Sequence, residues 1–168
     1  GAIIDGTSRQ HPVFGQSIGS DSFIPQITAL KKNKRIKAVI LRINSGGGSA
    51  TASDEILDAL SELREKKPLV ISMSEVAGSG GYWISTQADR LFAERTTLTG
   101  SIGVISLLLY LQDFLKQYGI NTETIKHGKY ADIGSGLRKS VKKERELLDG
   151  MVEDRKSTRL NSSHRLRS

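Results

Sequence analysis

The chain has 168 residues, enough for one α/β domain with a substantial core. It has no cysteine, which excludes a disulfide framework and any Cys-bearing metal site. The formal charge is +7, but Asp154–Ser168 holds five of the 25 basic residues and one of the 18 acidic ones; the remaining 20 against 17 gives no support to a nucleic-acid-binding surface.

Taken in chain order, Ala2–Ile4 reads as a first strand and Gly6–Ser20 as a polar, mobile loop. A helix is predicted over Ser22–Asn33, burying Ile24, Ile27 and Leu30. Lys37–Ile43 is a buried strand that runs into Asn44-Ser45-Gly46-Gly47-Gly48-Ser49. Ala52, Ile56, Leu60 and Leu63 then recur at helical spacing, with Ser49, Thr51 or Ser53 as cap and Asp54 and Glu55 in the first turn. Leu69–Met73 is a second apolar strand, leading through Val76-Ala77-Gly78-Ser79-Gly80-Gly81 into a short helix. A short strand near Leu91–Ala93 follows, then a tight crossing at Gly100–Gly103. Ser106–Gly119 reads as an amphipathic helix stopped by Gly119, Asn121–Lys126 as a strand, and Glu144–Met151 as the start of a helix. No apolar run reaches the roughly 18 residues of a membrane-spanning helix. His11, His127 and His164 form no metal-ligand pattern, so no metal and no cofactor are expected. The basic clusters Lys31–Lys37 and Arg138–Lys143 read as solvated faces; an anionic membrane surface is their functional alternative.

The chemistry gathers at the two glycine loops. Ser79 stands where a strand gives way to a helix, and glycines there let the backbone bend and a substrate approach. A helix beginning after the serine directs free N–H groups toward an anion formed beside it, as acyl transfer by a serine requires. In parallel α/β folds the loops at the carboxyl ends of strands cluster, so Gly47 or Gly48 can offer N–H donors to the same oxyanion, with Gly80. A phosphate-binding loop is excluded in detail, because no Gly-Lys-Ser/Thr and no G-x-G-x-x-G follows. Met73, Val76 and Tyr82 are candidates to line an apolar substrate cleft, and an extended peptide can add backbone pairing along a strand edge.

Three segments carry a family resemblance: Leu41–Ser53, Ser72–Thr86 and Thr97–Ile105. In order and spacing they resemble the signature segments of signal peptide peptidase A, the S49 serine peptidases, over roughly residues 1–153. The resemblance implies an α/β fold with the superhelical ββα core of Clp proteases and crotonases, parallel strands and flanking helices. It also implies a membrane-associated homo-oligomer at the bacterial cytoplasmic membrane, facing the periplasm or cell exterior and anchored by a segment outside this chain. Its substrates would be cleaved signal peptides and other apolar peptides, cut by a Ser–Lys dyad. One departure is that Gly46 stands where the family often has proline.

By this resemblance Ser79 is the nucleophile, and Ser101 matches the serine that hydrogen-bonds the dyad lysine. The lysine itself is missing. The family places it in a segment like Gly-x-Tyr-Lys, and the matching position here is Ala131, with Lys129 as a possible substitute base of uncertain direction. Double-length members have a carboxyl-terminal copy with this alanine, their lysine coming from the amino-terminal copy. The chain is therefore expected to be a peptidase domain over 1–153, truncated at its carboxyl end, that needs an upstream lysine-bearing domain and is inactive alone. A pseudo-peptidase subunit, an inactivated variant and a crotonase-like acyl-CoA enzyme are the alternatives. Asp154–His164 matches, codon by codon, the translation of a common sequencing adapter, so 154–168 is expected not to be a domain.

Overall fold

The computed structural model describes residues 1–12 and 15–164, without the side chains of residues 11 and 155–164. The chain divides into two compact units, one built on Gly1–Gly103 and the other on Val104–Thr158.

The β-strands of the first unit, in chain order, are β1 Ile3–Ile4, β2 Gln10–His11, β3 Gly15–Gln16, β4 Ile18–Gly19, β5 Val39–Ser45, β6 Leu69–Gly78, β7 Arg90–Phe92 and β8 Leu98–Gly100; β5 to β8 form a four-stranded parallel sheet. β6 is central: β5 lies along one side, and β7 and then β8 lie along the other. All three pairings are parallel, as helical crossovers require. The crossovers are α2, Ala50–Arg64, between β5 and β6, and α3, Gly80–Ser85, after β6; α1, Ser20–Lys32, precedes β5. Ala52, Ile56, Leu60 and Leu63 form the buried stripe of α2, packed with Ile43, Leu69, Ile71, Met73 and Ala77 of the sheet. Of the three candidate caps, Ser49 is the one used: its Oγ accepts from the Ala52 N–H at 3.2 Å. That start leaves Asp54 and Glu55 beyond the first turn. Lys67 is nearly buried and donates to the Leu30 and Asn33 carbonyls at the carboxyl end of α1, where a cation complements the helix dipole.

The described residues of 6–20 are more ordered than a loop. β2 and β3 pair antiparallel, β4 pairs with β1, and α1 already begins at Ser20. In the second unit the expected long helix shortens to α4, Gln112–Gln117, closed by Gly119 at φ 70°. Leu107, Leu108 and Leu109 are consecutive and do not make a helical stripe. The chain here instead runs beside the 134–136 turn, with the Leu111 N–H bonded to the Gly136 carbonyl at 2.8 Å. Residues 121–126 form no strand, for they have no partner ladder. The last helix, α5, spans Lys142–His164 and so continues past Asp154. Both basic clusters are partly neutralised by ion pairs, Lys31 with Glu62 and Arg138 with Asp132 and Glu144.

Candidate active site

The site grows from the end of β6. Ile43 pairs with Met73 and Ser45 with Ala77, so β6 uses four residues where β5 uses two. This bulge turns the last residues of β6, as bulges beside functional sites do. Its backbone groups are satisfied by side chains: Asn44 Oδ1 accepts from the Val76 N–H at 3.2 Å, and Thr97 Oγ1 donates to the Ser74 carbonyl at 2.7 Å. Thr99 Oγ1 donates to the Ala77 carbonyl at 2.8 Å and ties β8 to the same end.

Ser79 follows at φ 48° and ψ −116°, a conformation that L-residues avoid. Its N–H donates to the Gly100 carbonyl and its carbonyl accepts from the Trp83 N–H, each at 2.9 Å. Ser101, beside Gly100, has φ 53°. These are the two non-glycine residues at positive φ among the described residues, and the β6–β8 pairing brings their turns together. Strain of this kind costs on the order of 1–3 kcal/mol and persists where the surroundings over-determine the backbone, characteristically at functional sites.

The first glycine loop packs directly against this turn. A Cβ on Gly47 would lie 2.5 Å from the Gly80 nitrogen and 2.8 Å from Ser79 Cβ, so only glycine permits the approach. A Cβ on Gly81 would lie 2.5 Å from the Ser45 carbonyl oxygen. Gly48 forms a parallel bridge with Ile3: the Ile3 N–H donates to the Gly47 carbonyl at 2.9 Å, and the Ser49 N–H to the Ile3 carbonyl at 2.8 Å.

Peptide planarity then sets the donor directions. The Gly47 carbonyl and the Gly48 N–H share one trans peptide unit, so with the carbonyl aimed at β1 the N–H points away from it. Likewise the Ser79 carbonyl is turned into α3, and the Gly80 N–H points out of that helix. The Gly47 N–H is already engaged, donating to the buried Ser45 Oγ at 3.1 Å. Gly48 is exposed, whereas Gly47 and Gly80 are buried.

Met73 is a core residue and Tyr82 packs against that core, while Val76 pairs with Leu98 in the bulge. None of the three lines the cavity of about 250 Å³ between Ile18, Phe23, Leu41, Ile43 and Ile84. That cavity is assembled from five separate elements, and no single stretch of sequence signals it.

In the second unit Ala131 lies in a turn, its N–H 3.4 Å from the Gly128 carbonyl. Lys129 is exposed, its ammonium 5.5 Å from the centre of the Tyr130 ring. The next residue, Asp132, accepts from Arg138 at 2.7 Å and from Lys126 at 2.6 Å. Arg138 also donates to Glu144 at 2.5 Å, and Glu144 accepts from the Val141 N–H at 3.0 Å, closing the amino end of α5 as one half of a capping box. The hydrogen bonds from Arg138 hold the Glu144 carboxyl down at about 2 and Asp132 well below the usual carboxylate range; the same hydrogen bonds, to Glu144 and then to Asp132, push Arg138 further up. This clamp escaped the sequence reading, in which Arg138 was simply part of a basic cluster. Among the described residues no group of acidic or histidine side chains is arranged to hold a metal, and no helix is long and apolar enough to cross a membrane.

A Clp protease family profile matches residues 14–105, the strand–glycine–helix core, and supports the α/β fold of that type. The chain is 41% identical over 136 residues to the chloroplastic serine protease SPPA of Arabidopsis thaliana, covering 80% of this chain and 20% of that protein. It is 38% identical over 134 residues to Protease 4 of Salmonella typhi, covering 79% and 21%. Against Protease 4 of Haemophilus influenzae it is 37% identical over 126 residues, covering 74% and 20%. The chain thus spans about a fifth of the length of these relatives. The profile of peptidase family S49 matches residues 61–162, from the end of α2 into α5, and the chain belongs to that family.

Proposed function

We propose that this chain is the nucleophile-bearing domain of a serine peptidase that hydrolyses apolar peptides, cleaved signal peptides among them, by a Ser–Lys dyad. The observation that carries the reading is Ser79 at φ 48°, on a strand-to-helix turn backed by one glycine loop and bonded to another. Ser79 Oγ attacks the scissile carbonyl carbon while a neutral lysine amine takes its proton. The oxyanion is held by the Gly48 N–H with that of Gly80. The lysine ammonium then protonates the leaving amine, and a water deprotonated by the same lysine hydrolyses the acyl ester. Ser101 orients the lysine. That lysine comes from an upstream domain, because Ala131 offers no proton acceptor and Lys129 is exposed. The complete protein acts as an oligomer at the bacterial cytoplasmic membrane, facing the periplasm or exterior; kinship with bacterial Protease 4 supports the membrane association alone.

Kinship also favours a peptidase over an acyl-CoA enzyme, which would not need a serine at position 79. The test is fluorophosphonate labelling of the complete protein. Labelling lost in Ser79→Ala, together with peptide hydrolysis, supports the proposal. Hydrolysis that survives Ser79→Ala contradicts it.

A further inference from the structure

We infer that Ser45 is a positioning residue for the oxyanion site; this rests on the serine-peptidase reading proposed above. Ser45 is the last residue of β5 and is 3% exposed. Its Oγ accepts the Gly47 N–H at 3.1 Å, two residues on. Its carbonyl and Cβ lie against Gly81, 2.5 and 3.2 Å from where a side chain there would begin. One small side chain therefore touches both the loop that carries the Gly48 N–H and the helix that follows Ser79.

The glycine loop has no side chain of its own to hold it. Gly46, Gly47 and Gly48 sample wide regions of φ and ψ, so their peptide planes need outside partners. Ile3 supplies one, accepting and donating on either side of Gly48. It fixes the 47–48 peptide unit from the β1 side. Ser45 fixes the preceding unit, 46–47, from the interior. With both planes pinned, the Gly48 N–H has one direction, and the Gly47 N–H is withdrawn from substrate. Without Oγ the buried Gly47 N–H lacks its acceptor, and the 46–47 plane is free to rotate and carry Gly48 with it. Ser45 never touches the substrate. Its effect appears where charge develops on the carbonyl oxygen, because a donor misplaced by even an ångström loses transition-state stabilisation rather than ground-state binding.

The experiment uses the complete protein, with rates normalised to the fraction of Ser79 that a fluorophosphonate titrates. Ser45→Ala should lower kcat on an apolar peptide about tenfold or more with KM within about twofold, the pattern of an interaction made in the transition state. Affinity for a peptide boronic acid, which forms a tetrahedral adduct with the serine, should fall in parallel. Ser45→Thr, which retains the acceptor, should recover most of the loss. If Ser45→Ala does not fold, Ser45→Cys replaces the oxygen by a weak acceptor and should show the same kcat loss. Normal kcat per titrated serine in Ser45→Ala or Ser45→Cys overturns the inference, as does a loss confined to KM. Those results would leave the peptidase reading standing. Absence of any Ser79 titration in the unaltered protein would instead remove that reading, and the role of Ser45 with it.

Discussion

Gly47 and Gly48 are adjacent and chemically identical, yet their environments assign them different work. Gly47 is buried against Ser79 with its N–H donated inward, whereas Gly48 is exposed with its N–H turned away from β1. Gly47→Ala should therefore act on stability: a Cβ at φ 95° and 2.5 Å from the Gly80 nitrogen should cost on the order of 1–3 kcal/mol, read as a lower urea midpoint. Gly48→Val keeps the N–H but drives a side chain into the Ile3 carbonyl oxygen, which displaces the loop and its donor; turnover of the complete enzyme on a peptide substrate, normalised to folded protein, should fall by about a hundredfold or more, the scale of losing an oxyanion donor. At this scale the sequence marks the place but not the orientation. The Gly-Ser-Gly-Gly string locates the turn that carries Ser79. The direction of each N–H depends on Ile3 and Ser45, whose bonds to the loop have no signature in the chain.

Among the elements, the β5–α2–β6–α3 run was legible because each segment has a clear period and a clear stop. Ile43, Ile56, Leu60 and Ile71 are buried as the pattern requires, but β5, read as a buried strand, buries one face only, and Ile40 on its other face is 74% exposed. The second unit was less legible. Its apolar residues come in consecutive runs, so Leu107–Leu111 supports an extended path as well as a helix, and only contact with residues 134–136 decides between them. The Arg138 clamp likewise depends on a fold-back that brings Asp132 and Glu144 to one guanidinium. Both carboxyls are held below their ordinary values of 3.8 and 4.5. Their contribution is therefore present above those values and is lost as the pH falls through the folded ones, about 2 for Glu144. Thermal melts followed by circular dichroism should show the midpoint declining from about pH 4.5 toward pH 2. In Arg138→Met the midpoint should be lower at pH 7 and flatter across that window. An unchanged pH profile in the variant would assign the acid sensitivity elsewhere.

For the molecule as a whole, charge is informative only once its distribution is considered, since residues 154–168 carry a net +4 of the +7. That stretch resembles adapter translation and is expected to add nothing to the core. Removing Asp154–Ser168 should leave the thermal midpoint within about two degrees, as when no buried contact is lost; a larger drop would make the tail structural. The parallel sheet and both glycine loops belong to the first unit, whereas Ala131 belongs to the second. We propose that this chain contributes the nucleophile and oxyanion donors but not the base. The most direct test is hydrolysis of one apolar peptide by two preparations: this chain and the full-length protein. No turnover is expected from this chain, and turnover is expected from the full-length protein. Turnover by this chain at the full-length rate, abolished by Lys129→Ala, would contradict the proposal and make Lys129 the base.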